Sequence, residues 1–155
     1  MDKTEIQNLI KELIEKTTVR MDSISIEQDG KSTWYRVEVK EPNFFTGREG
    51  EALYALNHLV RRIVENKRGH MSDLWPEIMI DINSFQKRRV ENIRAVAHMM
   101  RERAKYFKSN IEFDPMSAFE RRIVHEFFSD ATDLKTESVG FGPTRRVVIK
   151  YIGTI

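Results

Sequence analysis

The apolar residues of this chain switch repeatedly between a helical and a two-residue period, and that alternation restricts the fold more than any other feature. Ile6, Leu9, Ile10, Leu13 and Ile14 recur at helical spacing behind Asp2 to Thr4, which predicts an opening amphipathic helix. Residues 23–27 and 33–40 then alternate, with Tyr35, Val37 and Val39 on one side and Trp34 and Arg36 on the other. Gln28-Asp29-Gly30-Lys31 supplies a hairpin turn between them, and Pro42 ends the second strand. Ala52, Leu53, Leu56, Leu59, Val60 and Ile63 mark a helix that begins at the glycine pair Gly47 and Gly50 and stops before Lys67-Arg68-Gly69. Residues 77–82 read as a short buried strand. Helix, strand, strand, helix, strand makes one compact α+β unit over 1–82.

A second unit follows over 83–155 with little room for a linker. Val90, Ile93, Ala97, Met100, Ala104 and Phe107 predict a long helix over about 84–108, and residues 110–113 a strand. Pro115 suits a helix start; Met116, Phe119, Ile123 and Phe127 then share one face of a helix running to about Ser129. Residues 135–139 and 145–152 read as two strands joined across Gly140 to Pro143.

Charge separates the halves. The 155 residues carry a formal net charge of only +2, but residues 1–82 hold 12 Lys+Arg against 15 Asp+Glu, and the remainder 14 against 9. An acidic first half and a basic second half suit a polyanionic partner for the second, although a mild excess also serves solubility. Cysteine is absent, which excludes disulfides and thiolate zinc sites and suits a reducing cytoplasm. The N-terminus lacks a basic segment followed by an apolar one, and no apolar run is long enough for a bilayer, so a soluble, unexported, cytoplasmic protein is expected.

Three groups of residues could carry chemistry. Gly47-Arg48-Glu49-Gly50 stands between a strand and a helix start, where glycines permit close backbone approach and unpaired amides favour a phosphate; the spacing alone is equally that of a turn. Phe44 and Phe45 beside it could stack on bases or pack in the core, while Trp34, Tyr35 and Trp75 read as packing. In Glu120-Arg121-Arg122-Ile123-Val124-His125, helical rotation sets Arg121 and His125 one turn apart, away from the apolar face. Two exposed donors can hold neighbouring phosphates or a base edge, though spacing alone also describes a solvated helix face. The long helix carries Lys87, Arg88, Arg89, Arg94, Arg101, Arg103, Lys105 and Lys108 against Glu91 and Glu102, a one-signed surface that suits phosphates, with Arg145 and Arg146 adding to it. Strand alternation predicts that those two face opposite sides.

Enzymatic readings find little support. His58, His70, His98 and His125 show no metal-ligand spacing, and neither a nucleophile elbow nor a phosphate loop ending in Gly-Lys-Ser/Thr is present. A nuclease using His125 as base would have only Glu120 and Asp130 nearby.

The tail from Met116 to His125, followed by Thr136-Glu137-Ser138-Val139-Gly140 and Arg145-Arg146-Val147-Val148-Ile149, resembles the Arg-x-x-x-His domain of the Jag (sporulation-stage-associated) family of bacterial RNA-binding proteins. The likeness extends back through Asp81-Ile82-Asn83-Ser84-Phe85-Gln86-Lys87-Arg88-Arg89, similar to the stretch joining that family's two domains, and so covers nearly the whole chain. It implies a type II KH domain at 1–82, with an extra helix and strand before its core, and an Arg-x-x-x-His domain at 83–155. Gly47, Arg48 and Gly50 would then form the KH loop, and Arg121 and His125 the namesake pair, assisted by Lys87, Arg88, Arg89, Arg122, Arg145 and Arg146. The sequence departs from the family in having Phe45-Thr46 before the loop and Glu49 within it, and it leaves no room for the additional N-terminal domain many relatives carry.

The expectation is therefore a non-enzymatic, cofactor-free and metal-free α+β protein that binds single-stranded RNA, with single-stranded DNA as the other candidate polymer. The resemblance implies an RNA chaperone or post-transcriptional regulator linked to cell elongation, division or sporulation, partnered by a small KH protein or by itself. The alternative is a protein interaction module in which the KH-like half is degenerate and only the second half touches nucleic acid.

Overall fold

The computed structural model describes residues 1–69 and 78–153. His70, Trp75 and Glu77, to which the sequence assigned a loop, a packing role and a strand start, lie outside the described residues. The chain divides into two compact units, Met1–Lys87 and Arg88–Ile155, with the division inside a helix.

In the first unit, α1 (Lys3–Lys16) starts at a capping box: Asp2 accepts from the Glu5 amide, and the Glu5 side chain accepts from the Asp2 amide. Strand β1 (Met21–Asp29) pairs antiparallel with β2 (Ser32–Val39), and β2 pairs parallel with β3 (Ile78–Ile82), giving the sheet order β1-β2-β3. Tyr35, Val37 and Val39 are buried as their alternation requires, and they meet Ile6, Ile10 and Ile14 in the core. The helix α2 (Asn43–Arg68) contributes Leu53, Leu56, Val60 and Val64, whereas Leu59 is exposed. Buried Asn57 on α2 acts as a substitute for a neighbouring strand, since its amide donates to the Ile80 carbonyl and accepts from the Ile80 N–H.

Asp81, wholly buried at the end of β3, accepts from Arg36 Nη1 at 2.8 Å and from the backbone amides of Gln86 and Lys87. It thereby satisfies free N–H groups in the first turn of α3 (Phe85–Phe107), the helix in which the unit boundary falls.

The second unit places α3, β4 (Ile111–Glu112), α4 (Ala118–Phe127), β5 (Leu134–Val139) and β6 (Arg146–Tyr151) in chain order, with an antiparallel sheet ordered β4-β6-β5. Ala97 and Ala104 of α3 join Val124, Phe128, Leu134, Val147 and Ile149 in a second core. Pro115 precedes α4 rather than starting it, because Ser117 is the N-cap. The buried side of α4 also differs from the expectation: Ile123, Val124 and Phe128 just beyond the helix are buried, while Phe119 and Phe127 are only partly covered. Among the described residues, no helix is long and apolar enough to cross a membrane.

Candidate nucleic-acid interface

The Gly47-Arg48-Glu49-Gly50 segment interrupts α2 instead of following a strand directly. Residues 43–46 form a helical turn, 47–50 leave helical geometry, and the helix resumes to Arg68. Sequence alternation carried the strand too close to the loop because the turn at 43–46 is too short to show a period. Gly47 is extended (φ −63°, ψ 161°), and Arg48, Glu49 and Gly50 all have positive φ, at 50°, 59° and 83°. Arg48 and Glu49 are thus held exposed in a conformation that costs non-glycine residues energy.

Gly50 has an additional constraint. A Cβ there would lie 2.6 Å from Cε1 of the Phe85 ring, so the ring packs directly on the backbone. Of the two neighbouring aromatics, Phe45 is a core residue, whereas Phe44 is 54% exposed and meets it edge-on at 4.9 Å. Lys87, also in this unit, is exposed, and its backbone amide is held by Asp81.

In the second unit the namesake pair occupies α4 and is less exposed than a helix-face argument predicts. The helix starts with a reciprocal cap in which Ser117 Oγ accepts from the Glu120 amide and Glu120 Oε2 accepts from the Ser117 amide. The other Glu120 oxygen accepts from Arg89 Nε at 2.8 Å. Arg121, half-buried, donates from Nη1 to the Met116 carbonyl at 2.8 Å. His125, also half-buried, stands between two hydroxyls of β5, with Nδ1 2.6 Å from Thr136 Oγ1 and Nε2 2.8 Å from Ser138 Oγ.

Burial, followed by the positive Arg121, pushes the His125 pKa below its ordinary value and favours the neutral ring near neutral pH. A neutral imidazole offers one donor and one acceptor, and flanking hydroxyls can answer either. The pair therefore presents one fixed cation and one ring that can gain a proton, rather than two permanent donors.

The remaining arginines fall into two groups. Arg89, Arg122 and Arg146 form ion pairs with Glu120, Glu126 and Glu112 at 2.8, 3.2 and 3.1 Å. Arg145 precedes β6 instead of lying in it, is exposed, and has no side-chain partner among the described residues. Arg88 is exposed at the start of this unit.

Backbone contacts draw Arg145 toward the namesake pair: the Arg145 carbonyl accepts from the Met116 amide at 3.1 Å, and the Met116 carbonyl holds Arg121. Thr136 and Ser138 were missed by sequence reasoning. Their two-residue spacing on β5 was the available signal, since it puts both hydroxyls on one face. A separate cleft of about 290 Å³ is lined by Ile93, Val96, Met100 and Phe113, with Arg89 and Glu120 also among its walls; Arg121, His125 and Arg145 are not.

Comparison with known proteins matches residues 91–151 to the family model of the Arg-x-x-x-His domain. The chain is 23% identical over 130 residues to the RNA-binding protein KhpB of Bacillus subtilis (strain 168), covering 83% of this chain and 61% of that protein. It is 27% identical over 128 residues to the RNA-binding protein KhpB of Clostridium symbiosum, covering 81% and 56%. Against the RNA-binding protein KhpB of Streptococcus pneumoniae serotype 2 it is 25% identical over 146 residues, covering 94% and 43%. The chain spans about half the length of the curated relatives it matches. The Jag-family resemblance read from the motifs is borne out by these matches.

Proposed function

We propose, starting from this resemblance to the Jag/KhpB family, that the chain binds single-stranded RNA and that Arg121, His125 and Arg145 form the centre of the binding surface. The observation that carries the reading is their connection through Met116 and β5: a fixed guanidinium, an imidazole able to accept a proton, and an unpaired arginine sit on one continuous framework. The Arg-x-x-x-His domain match and the printed names of the KhpB relatives support RNA as the polymer. Arg88 and Lys87 extend the basic surface; Arg89, Arg122 and Arg146 contribute less because each already faces a carboxylate.

The first unit is read as a type II KH domain. Its support is the order α-β-β-α-β, the break at 47–50 inside α2, and a sheet with one antiparallel and one parallel pair. Gly47, Arg48 and Gly50 then form a phosphate-approaching loop at the start of a helical segment, where the dipole favours an anion. Exposed Glu49 opposes that role and favours the second reading, in which this unit engages a small KH protein or a second copy of the chain. A role as RNA chaperone or post-transcriptional regulator in cell elongation, division or sporulation follows from the family resemblance.

Titration of a labelled single-stranded RNA with the full chain tests the central claim. Arg121→Ala/His125→Ala is expected to weaken binding at least about tenfold while circular dichroism stays unchanged, since each charge-assisted contact contributes about 1–2 kcal/mol. Equal affinity in a folded double variant overturns the assignment of this surface.

A further inference from the structure

We infer that Phe141 is a stacking platform for one base of the bound strand, an inference that rests on the RNA-binding reading of the Arg121–His125 surface and gives that surface a second kind of contact. Phe141 is 90% exposed. An aromatic ring left in water forgoes the burial that normally holds it in place, so its backbone must hold it.

The hairpin end does so. The Phe141 carbonyl accepts from both Thr144 Oγ1 at 2.9 Å and the Thr144 amide at 3.3 Å, the Arg145 amide donates to the Gly142 carbonyl, and Gly142–Thr144 form a 3-10 turn with Pro143 inside it. Gly140 has φ +89°, and a Cβ at that position would meet the Thr144 carbonyl at 3.2 Å and Arg145 Cα at 3.3 Å. The segment that carries Phe141 is therefore folded tightly against Arg145 and has little freedom to withdraw the ring.

Its location supplies the ligand. Going back along the chain, Ser138 holds His125 Nε2, and three residues span at most about 10 Å. On the other side Gly140 lies against Arg145, whose carbonyl holds Met116, which in turn holds Arg121. The exposed ring thus stands beside two guanidiniums and one imidazole. In a single strand, phosphates and bases alternate along the chain, so a surface that pairs cations with an exposed aromatic face matches both components at once. A protein partner would find the same ring, but the unpaired Arg145 beside it favours a polyanion.

The test compares Phe141→Ala, Phe141→Trp and the parent with oligoadenylate and oligouridylate of equal length. The alanine variant is expected to bind roughly five- to a hundredfold more weakly with the same salt dependence, because stacking releases no counterions. The tryptophan variant is expected to retain affinity and to show quenched indole fluorescence on binding. Phe141 is exposed at a turn, so folding should survive both changes, and circular dichroism checks this. Parent-like affinity for Phe141→Ala together with unquenched Phe141→Trp overturns the stacking role while leaving RNA binding intact. A parent chain that binds neither oligonucleotide overturns the RNA-binding reading, and the stacking role with it.

Discussion

His125 shows how a single residue links folding to ligand binding. Its folded pKa lies below the ordinary value near 6.5, first because of burial and then because Arg121 repels the proton. The unfolded chain therefore takes up a proton at this position at a higher pH than the folded chain does. The stability associated with the neutral ring is complete above about pH 6.5 and falls as pH drops through that value toward the folded pKa. His125→Gln is expected to flatten this part of the curve of urea midpoint against pH. A phosphate beside the ring favours the opposite protonation state, so RNA binding should raise the His125 pKa and affinity should increase as pH falls below 6.5. An NMR titration of the ring protons, with and without oligonucleotide, checks this directly. An unchanged midpoint on binding contradicts a phosphate contact at His125. The sequence identified Arg121 and His125, but it could not show that hydroxyls 11 and 13 residues downstream clasp the ring, since that contact depends on how α4 lies on β5.

At the scale of elements, the loop at 47–50 shows that two glycines with the same spacing can serve different ends. Gly47 has an ordinary extended backbone, and its added Cβ would come no closer than 3.4 Å to Asn43 Oδ1. Gly50 combines φ +83° with a 2.6 Å approach to the Phe85 ring. Gly50→Ala is expected to cost about 1–3 kcal/mol of unfolding free energy, whereas Gly47→Ala should remain within about 0.5 kcal/mol of the parent, as read by urea denaturation. Equal effects would mean that the Phe85 contact does not constrain the loop. The functional test of the same element reverses its charges: Glu49→Lys should strengthen RNA binding and Arg48→Asp should weaken it if the loop meets the strand. Neither change altering affinity favours a protein-binding role for this unit. Strand alternation made β2 legible down to its buried face at Tyr35, Val37 and Val39, because a strand that is half buried shows its period directly. The core face of α4 was less legible. Ile123 and Val124 are adjacent and both buried, so the boundary of its apolar stripe could not be placed from periodicity alone.

Across the whole molecule, the charge asymmetry survives the structural division: Met1–Lys87 carries 13 Lys+Arg against 15 Asp+Glu, and Arg88–Ile155 carries 13 against 9. The gross count nevertheless overstates what a polyanion would meet. In the second unit Arg89, Arg122, Arg146 and Lys105 face Glu120, Glu126, Glu112 and Asp133, and Lys150 faces Glu137. Sequence spacing registers the basic residues but not these pairings, which arise from helix turns and cross-strand register. If the strand is held by about two to four phosphate contacts, log affinity against log salt should have a slope of roughly −1.4 to −2.8, at about −0.7 for each phosphate of a single strand. Arg145→Ala should flatten that slope by about 0.7, with a similar loss of affinity on every sequence, because a phosphate contact positions the strand without reading it. Arg122→Ala removes a side chain of the same charge from the same unit, but one already paired with Glu126 at 3.2 Å, and should leave the slope within about 0.3 of the parent. The contrast separates local geometry from net charge. If the two variants flatten the slope equally, the second unit attracts RNA as a diffuse positive surface and the Arg121–His125–Arg145 framework has no special part in holding it.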